Sequence, residues 1–146
     1  MTTSLTTLAD YEIFVYSLRD RFPIIRRATL TIIHRGQDTA ELRGDVEFEG
    51  DLRLGVREYL RFDLEPPRIL QYSYEVWRGS EKLCWYDSQP HPDDSVLART
   101  YPHHKHVPPN IKRHRIPAPD LSFTRPNLSF LIEEIEREIL GKPVSG

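Results

Sequence analysis

The sequence predicts an α+β domain: an antiparallel meander of five or six strands, with an N-terminal and a C-terminal helix packed on one face. Three observations carry that reading. Apolar residues recur at three- and four-residue steps near both ends of the chain, the period falls to two between them, and turn-forming clusters separate the alternating runs. Two layers bury the dry face of such a sheet and leave the other wet. The main rival is a small curved half-barrel around the C-terminal helix.

Each element follows in order. Leu8, Tyr11, Phe14, Val15, Leu18 and Phe22 form the first helical stripe. Thr7 and Asp10 make a capping pair and Pro23 a stop, while Asp10, Glu12, Ser17, Arg19, Asp20 and Arg21 fall mostly off the stripe. The run RATLTIIH is rich in β-branched residues and ends in the turn Gly36-Gln37-Asp38. TAELRGDVEF follows, then a second turn at Glu49, Gly50 and Asp51. Leu52, Leu54 and Val56 alternate with Arg53, Gly55 and Arg57, the signature of a half-buried strand that continues to the Pro66-Pro67 break. ILQYSYEVWRGSEKLCWYDS reads as two aromatic strands joined at Arg78, Gly79 and Ser80. Tyr72, Tyr74 and Val76 share one face; Gln71, Ser73, Glu75 and Trp77 share the other.

Beyond Asp87 the pattern dissolves. Most of the chain's twelve prolines lie between residues 90 and 126, and proline excludes both a central strand and a helix interior. A long proline- and histidine-rich segment at about 88–126, with a short helix near 94–99, is therefore expected to be functional or disordered. The last helix has Leu128, Leu131, Ile132, Ile135 and Ile139 on its apolar side. Glu133, Glu134, Glu136, Arg137 and Glu138 are expected to face solvent, with Ser129 as the cap and Gly141 and Pro143 as the end.

A chain of 146 residues is most simply one domain, 1–146. Its net charge of -2 argues against a general nucleic-acid coat protein without speaking to local patches. Cys84 is the only cysteine, so no intramolecular disulfide forms and an intracellular setting is favoured. The sequence has neither a membrane-spanning apolar run nor a signal-peptide pattern, so the expected location is cytoplasmic and no membrane partner is expected.

The segment 99–115 segregates charge. Arg99, Lys105, Lys112, Arg113 and Arg115 are positive, no residue is acidic, and His103, His104, His106 and His114 lie among them. Such a field attracts a polyanion, and imidazoles exchange protons near neutral pH. Together these suit cleavage of an RNA phosphodiester, with one imidazole as base, a second as acid, and Lys105 or an arginine stabilising the transition state. In an extended chain His104 and His106 point one way, His103 and Lys105 the other. Asp87, at the end of the second aromatic strand, is placed to orient an imidazole; as a turn former in YDSQP it needs no such role. Arg57, Tyr59 and Arg61 alternate opposite Glu58 and Leu60, as phosphate-contacting and base-stacking groups or as an ordinary exposed strand face. Lys112, Arg113 and Arg115 extend the candidate substrate surface. A metal site built from His103, His104 and His106 with Asp87 or His91 is a weaker alternative; no metal or other cofactor is expected.

An N-terminal helix, a strand meander, YSYEVW, a hairpin closing on WYDS, and then HHKH resemble the TumE-like family of small prokaryotic toxin–antitoxin proteins. The resemblance spans roughly residues 8 to 107 and is sharpest at Tyr86-Asp87 and residues 103–106. It implies a ribonuclease-like or otherwise RNA-directed toxin restrained by a cognate antitoxin, with function carried by Asp87, His103, His104 and His106 and less firmly by Lys105. Residues 88–102, set between the aspartate and the histidines, depart from the family layout, as do the basic segment and the acidic helix that follow the histidines. The expected function is thus a small ribonuclease using histidine acid–base catalysis. The alternative is a non-catalytic module that binds nucleic acid or protein through the basic loop. The sequence also leaves open a homodimer formed through an edge strand.

Overall fold

The computed structural model describes residues 3–88, 103–111 and 114–141. Helices α1 (Leu8–Tyr16) and α2 (Leu18–Arg21) precede eight strands. These are β1 (Arg27–Ala28), β2 (Thr31–His34), β3 (Thr39–Glu47), β4 (Leu52–Arg61), β5 (Arg68–Arg78), β6 (Glu81–Asp87), β7 (His104–His106) and β8 (Arg115–Pro117). Helix α3 (Leu128–Glu134) follows and runs into a π-helical turn, Ile135–Ile139. The strands form one antiparallel sheet in the order β1-β3-β4-β5-β6-β7-β8, with β2 also paired to β3, and the sheet does not close into a barrel.

The sheet has eight strands where periodicity predicted five or six. Strands β7 and β8 are three residues each, too short to leave an alternating signature among prolines. The single predicted strand RATLTIIH divides at Thr29 and Leu30, where the backbone crosses over Gly44. A Cβ on Gly44 would lie 2.4 Å from the Thr29 carbonyl oxygen, and its φ of +138° lies outside the ordinary range of L-residues. The predicted first helix is likewise divided. Thr7 caps α1 by accepting from the Asp10 amide at 3.1 Å, and Ser17 ends it, its hydroxyl donating to Ile13 O at 2.6 Å beside its own backbone N–H at 3.1 Å.

Even-numbered residues of β4 (Leu52, Leu54, Val56, Glu58, Leu60) are buried, as are Tyr72, Tyr74 and Val76 on β5 and Cys84 and Tyr86 on β6. Contacts from both ends of the chain fall on this face. The α1 residue Tyr11 and the β5 residue Tyr74 both donate their hydroxyls to Glu58, and Asn127 donates to the Tyr74 hydroxyl at 3.0 Å. At α3 two expectations are corrected. The N-cap is Asn127 rather than Ser129. Glu136 is buried within the i→i+5 turn closed by Leu140 N and Ile135 O, and Glu133 and Glu134 are half-buried, Glu134 meeting Lys105 at 3.2 Å. The predicted short helix at 94–99, together with His91, Lys112, Arg113 and Pro143, lies outside the described residues.

Candidate active site

The site is built where β6 meets β7. Trp85 pairs with His106, Tyr86 with Lys105 and Asp87 with His104. Strand alternation then divides the HHKH cluster between two faces. Lys105 and Tyr86 turn toward the helices, where Lys105 Nζ reaches Glu134 at 3.2 Å and sits 5.1 Å over the Tyr86 ring. His103 also turns that way. Its Nδ1 is 2.6 Å from the Tyr72 hydroxyl, and its ring packs against Tyr72 and Phe123.

Asp87, His104 and His106 meet on the opposite face. His104 Nε2 lies 2.7 Å from Asp87 Oδ1, His106 Nε2 lies 3.4 Å from Asp87 Oδ2, and the two Nε2 atoms are 3.2 Å apart. His104 is 1% exposed and His106 3%; the Asp87 side chain, at 19%, is the accessible member. The turn joining β7 to β8 completes the setting. It is closed by Val107 N to His114 O at 2.9 Å and His114 N to Asn110 O at 2.7 Å. This turn brings the Ile111 carbonyl to 2.7 Å from His106 Nδ1. A carbonyl only accepts, so Nδ1 carries the proton and a neutral His106 presents the Nε2 lone pair to the cluster.

Trp85 supports both partners. Its indole N–H donates to Asp87 Oδ2 at 2.9 Å, and its ring stacks on His106 with centroids 3.9 Å apart. The signal in the sequence for this role is the two-residue step from Trp85 to Asp87, which puts both on one face. Burial lowers the pKa of His106, as do the nearby His104 and Arg115, against the opposing pull of the Ile111 hydrogen bond and Asp87. Burial, with His104 alongside, lowers that of His103 too. Arg115, paired with His106 across β7 and β8, lies on the cluster's side of the sheet.

The same wet face carries the remaining candidates. Arg57 is exposed and Tyr59 half-buried, while Arg61 is held by Asp63 at 2.6 Å. Arg57, Arg43, Arg53, Asp45, Ser73 and Glu75 line an open groove of about 470 Å³. Ser73 pairs with Asp87 across β5 and β6, so the groove adjoins the cluster. Lys82, bound to Glu75 at 2.6 Å and 4.2 Å over the Trp85 ring, stands beside it. Next to the groove, Arg35 and Arg43 clamp Glu41 and hold its carboxyl below the usual range, chiefly through the Arg35 hydrogen bond.

The structure thus brings together Asp87, His104, His106 and Arg115, with Arg57 and Tyr59 on the same face. It separates His103 and Lys105 from them. The buried Asp87–His104–His106 cluster has the donor atoms to coordinate a metal or to act catalytically, its ligand atoms all lying within 4.8 Å of one another. Among the described residues, no helix is long and apolar enough to cross a membrane. A family model described as Toxin TumE matches residues 15–139 of the chain. Neither a curated protein nor a solved structure matches it.

Proposed function

Since the chain belongs to the TumE toxin family, we propose that it is the toxin of a toxin–antitoxin module and cleaves RNA at the Asp87–His104–His106 cluster. Family membership implies a cognate antitoxin partner. The observation that carries the nuclease reading is the convergence of two imidazoles on one carboxylate beside a groove bearing Arg43, Arg53 and Arg57. RNA phosphates suit those arginines, and Tyr59 offers a ring for a base.

The geometry favours a different division of labour from two imidazoles working as separate acid and base. Both Nε2 atoms point at the same spot, 3.2 Å apart. Three side chains so arranged act as a unit on a single oxygen, the nucleophile or a phosphate oxygen, rather than on oxygens at opposite sides of a phosphorus. Asp87 orients His104, Ile111 O orients His106, and Arg115 adds positive charge on the same side. His103 and Lys105 contribute through packing, on the helix side of the sheet.

The test is cleavage of mixed RNA by the purified full chain beside Asp87→Asn and His106→Asn, each checked for folding. Losing a group of this kind lowers the rate by about 100-fold or more. Cleavage by both variants at the wild-type rate, or no cleavage by wild-type protein, would overturn the reading. Salt-sensitive RNA binding without product would instead leave the non-catalytic binding module, which the near-complete burial of His104 favours.

A further inference from the structure

We propose that Asp87, His104 and His106 bind one divalent first-row transition ion, with zinc-like preference, and leave part of its coordination shell open. The inference deepens the nuclease reading of this site, but its test does not depend on that activity. Four observations support it.

The first is geometric. The two Nε2 atoms stand 3.2 Å apart, with Asp87 Oδ1 2.7 Å from that of His104 and Asp87 Oδ2 3.4 Å from that of His106. Around an ion with bonds of about 2.0–2.2 Å, neighbouring ligands lie about 3.0–3.5 Å from one another. The two imidazole nitrogens are therefore spaced as neighbouring ligands of one ion, and the Asp87 carboxylate, with an oxygen against each of them, can supply the third ligand. The second is electronic. His106 offers the Nε2 lone pair because Nδ1–H is held by Ile111 O, and this lone pair faces a carboxylate oxygen. Two electron-rich atoms at 3.4 Å repel unless a proton or a metal cation lies between them. A bound ion would take His104 in the Nδ1–H tautomer, releasing its Nε2 lone pair in the same direction.

The third is support from outside the ligand set. A backbone carbonyl on the far nitrogen of a histidine and an indole N–H on the carboxylate are the contacts that aim metal ligands. Here Ile111 O and Trp85 Nε1 supply them, and the Trp85 ring holds the His106 plane. The fourth is access. His104 is nearly sealed while Asp87 is partly exposed, beside the arginine-lined groove. An ion there would present its remaining positions toward that side, where a phosphate oxygen or a water could enter and be polarised.

The donor set selects the ion class. Two imidazoles and one carboxylate suit Zn²⁺, Co²⁺, Mn²⁺ or Fe²⁺. Too few oxygens converge for Ca²⁺ or Mg²⁺. Cys84 lies on the buried, opposite face, and burial raises its thiol pKa, so no thiolate draws the site toward Cu⁺.

The experiment titrates the EDTA-dialysed full chain with Co²⁺, followed by visible absorption and calorimetry, and then with Zn²⁺ in competition. Saturation at one ion per chain is expected. His106→Asn and Asp87→Asn should each weaken binding at least tenfold, roughly the lower bound for disturbing such a site. His34→Asn, on the distant β2, should leave it unchanged. X-ray absorption at the cobalt edge of the wild-type complex guards against misfolded variants and should show two imidazoles. No uptake by wild-type protein, uptake undiminished in both variants, or a shell without imidazole would overturn the site. Because uptake is read apart from RNA cleavage, loss of either result leaves the other standing.

Discussion

At residue resolution, each histidine of HHKH is defined by what it touches rather than by its place in the cluster. His106 is fixed by Ile111 O, Trp85 and Asp87, and His103 by Tyr72 and Phe123. Trp85→Phe keeps the ring over His106 and deletes the hydrogen bond to Asp87. RNA cleavage should fall about tenfold with nearly wild-type thermal stability, because the change misaims a carboxylate without opening the core. Equal loss of stability and activity would make Trp85 a packing residue only. Glu58 supplies a second prediction. Burial raises its pKa from 4.5 to about 7, against the opposing effect of the Tyr11 and Tyr74 hydroxyls. The folded chain therefore holds this proton more tightly than the unfolded chain. The resulting stability is complete below about pH 4.5, declines as pH rises toward 7, and is lost above that. The melting temperature of wild-type protein should fall across this window more steeply than that of Glu58→Gln. Glu134, also raised to about 7 by burial, leaves a residual slope in the variant. Parallel curves for the two proteins would contradict the assignment.

Elements are where the sequence was read best and where it misled. Leu52–Arg61 and the β5–β6 hairpin were legible because both are long, alternate cleanly and are bounded by turn residues. The division of the cluster between two faces followed from alternation alone. What could not be read was pairing: nothing in three residues among prolines announces that His104 will lie opposite Asp87 and Pro117. Glu136 misled because a π-helical turn shifts the helical phase. The break in RATLTIIH depends on Gly44, and Gly44→Ala tests that dependence. The added methyl meets the Thr29 carbonyl at 2.4 Å in an unfavourable φ, so a loss of about 2–4 kcal/mol is expected from urea midpoints. A loss below about 0.5 kcal/mol would show that the crossing relaxes freely.

For the molecule as a whole, the sheet works as a partition. One face carries the apolar core and the contacts from α1 and α3, including the Glu58 network and the Lys105–Glu134 pair. The other carries Arg43, Arg53, Arg57, Trp85, Asp87, His104, His106 and Arg115. The family was legible in the sequence because WYDS and HHKH are local strings. The make-up of the site was legible only in part: alternation groups His104 with His106, but setting Asp87 beside them depends on the pairing of β6 with β7. The most direct measurement is therefore growth arrest on induction in a bacterial host, comparing wild-type protein with His106→Asn and His103→Gln at matched expression. Arrest should be lost in His106→Asn and kept in His103→Gln. Arrest kept in His106→Asn, or lost equally in both, would contradict the partition.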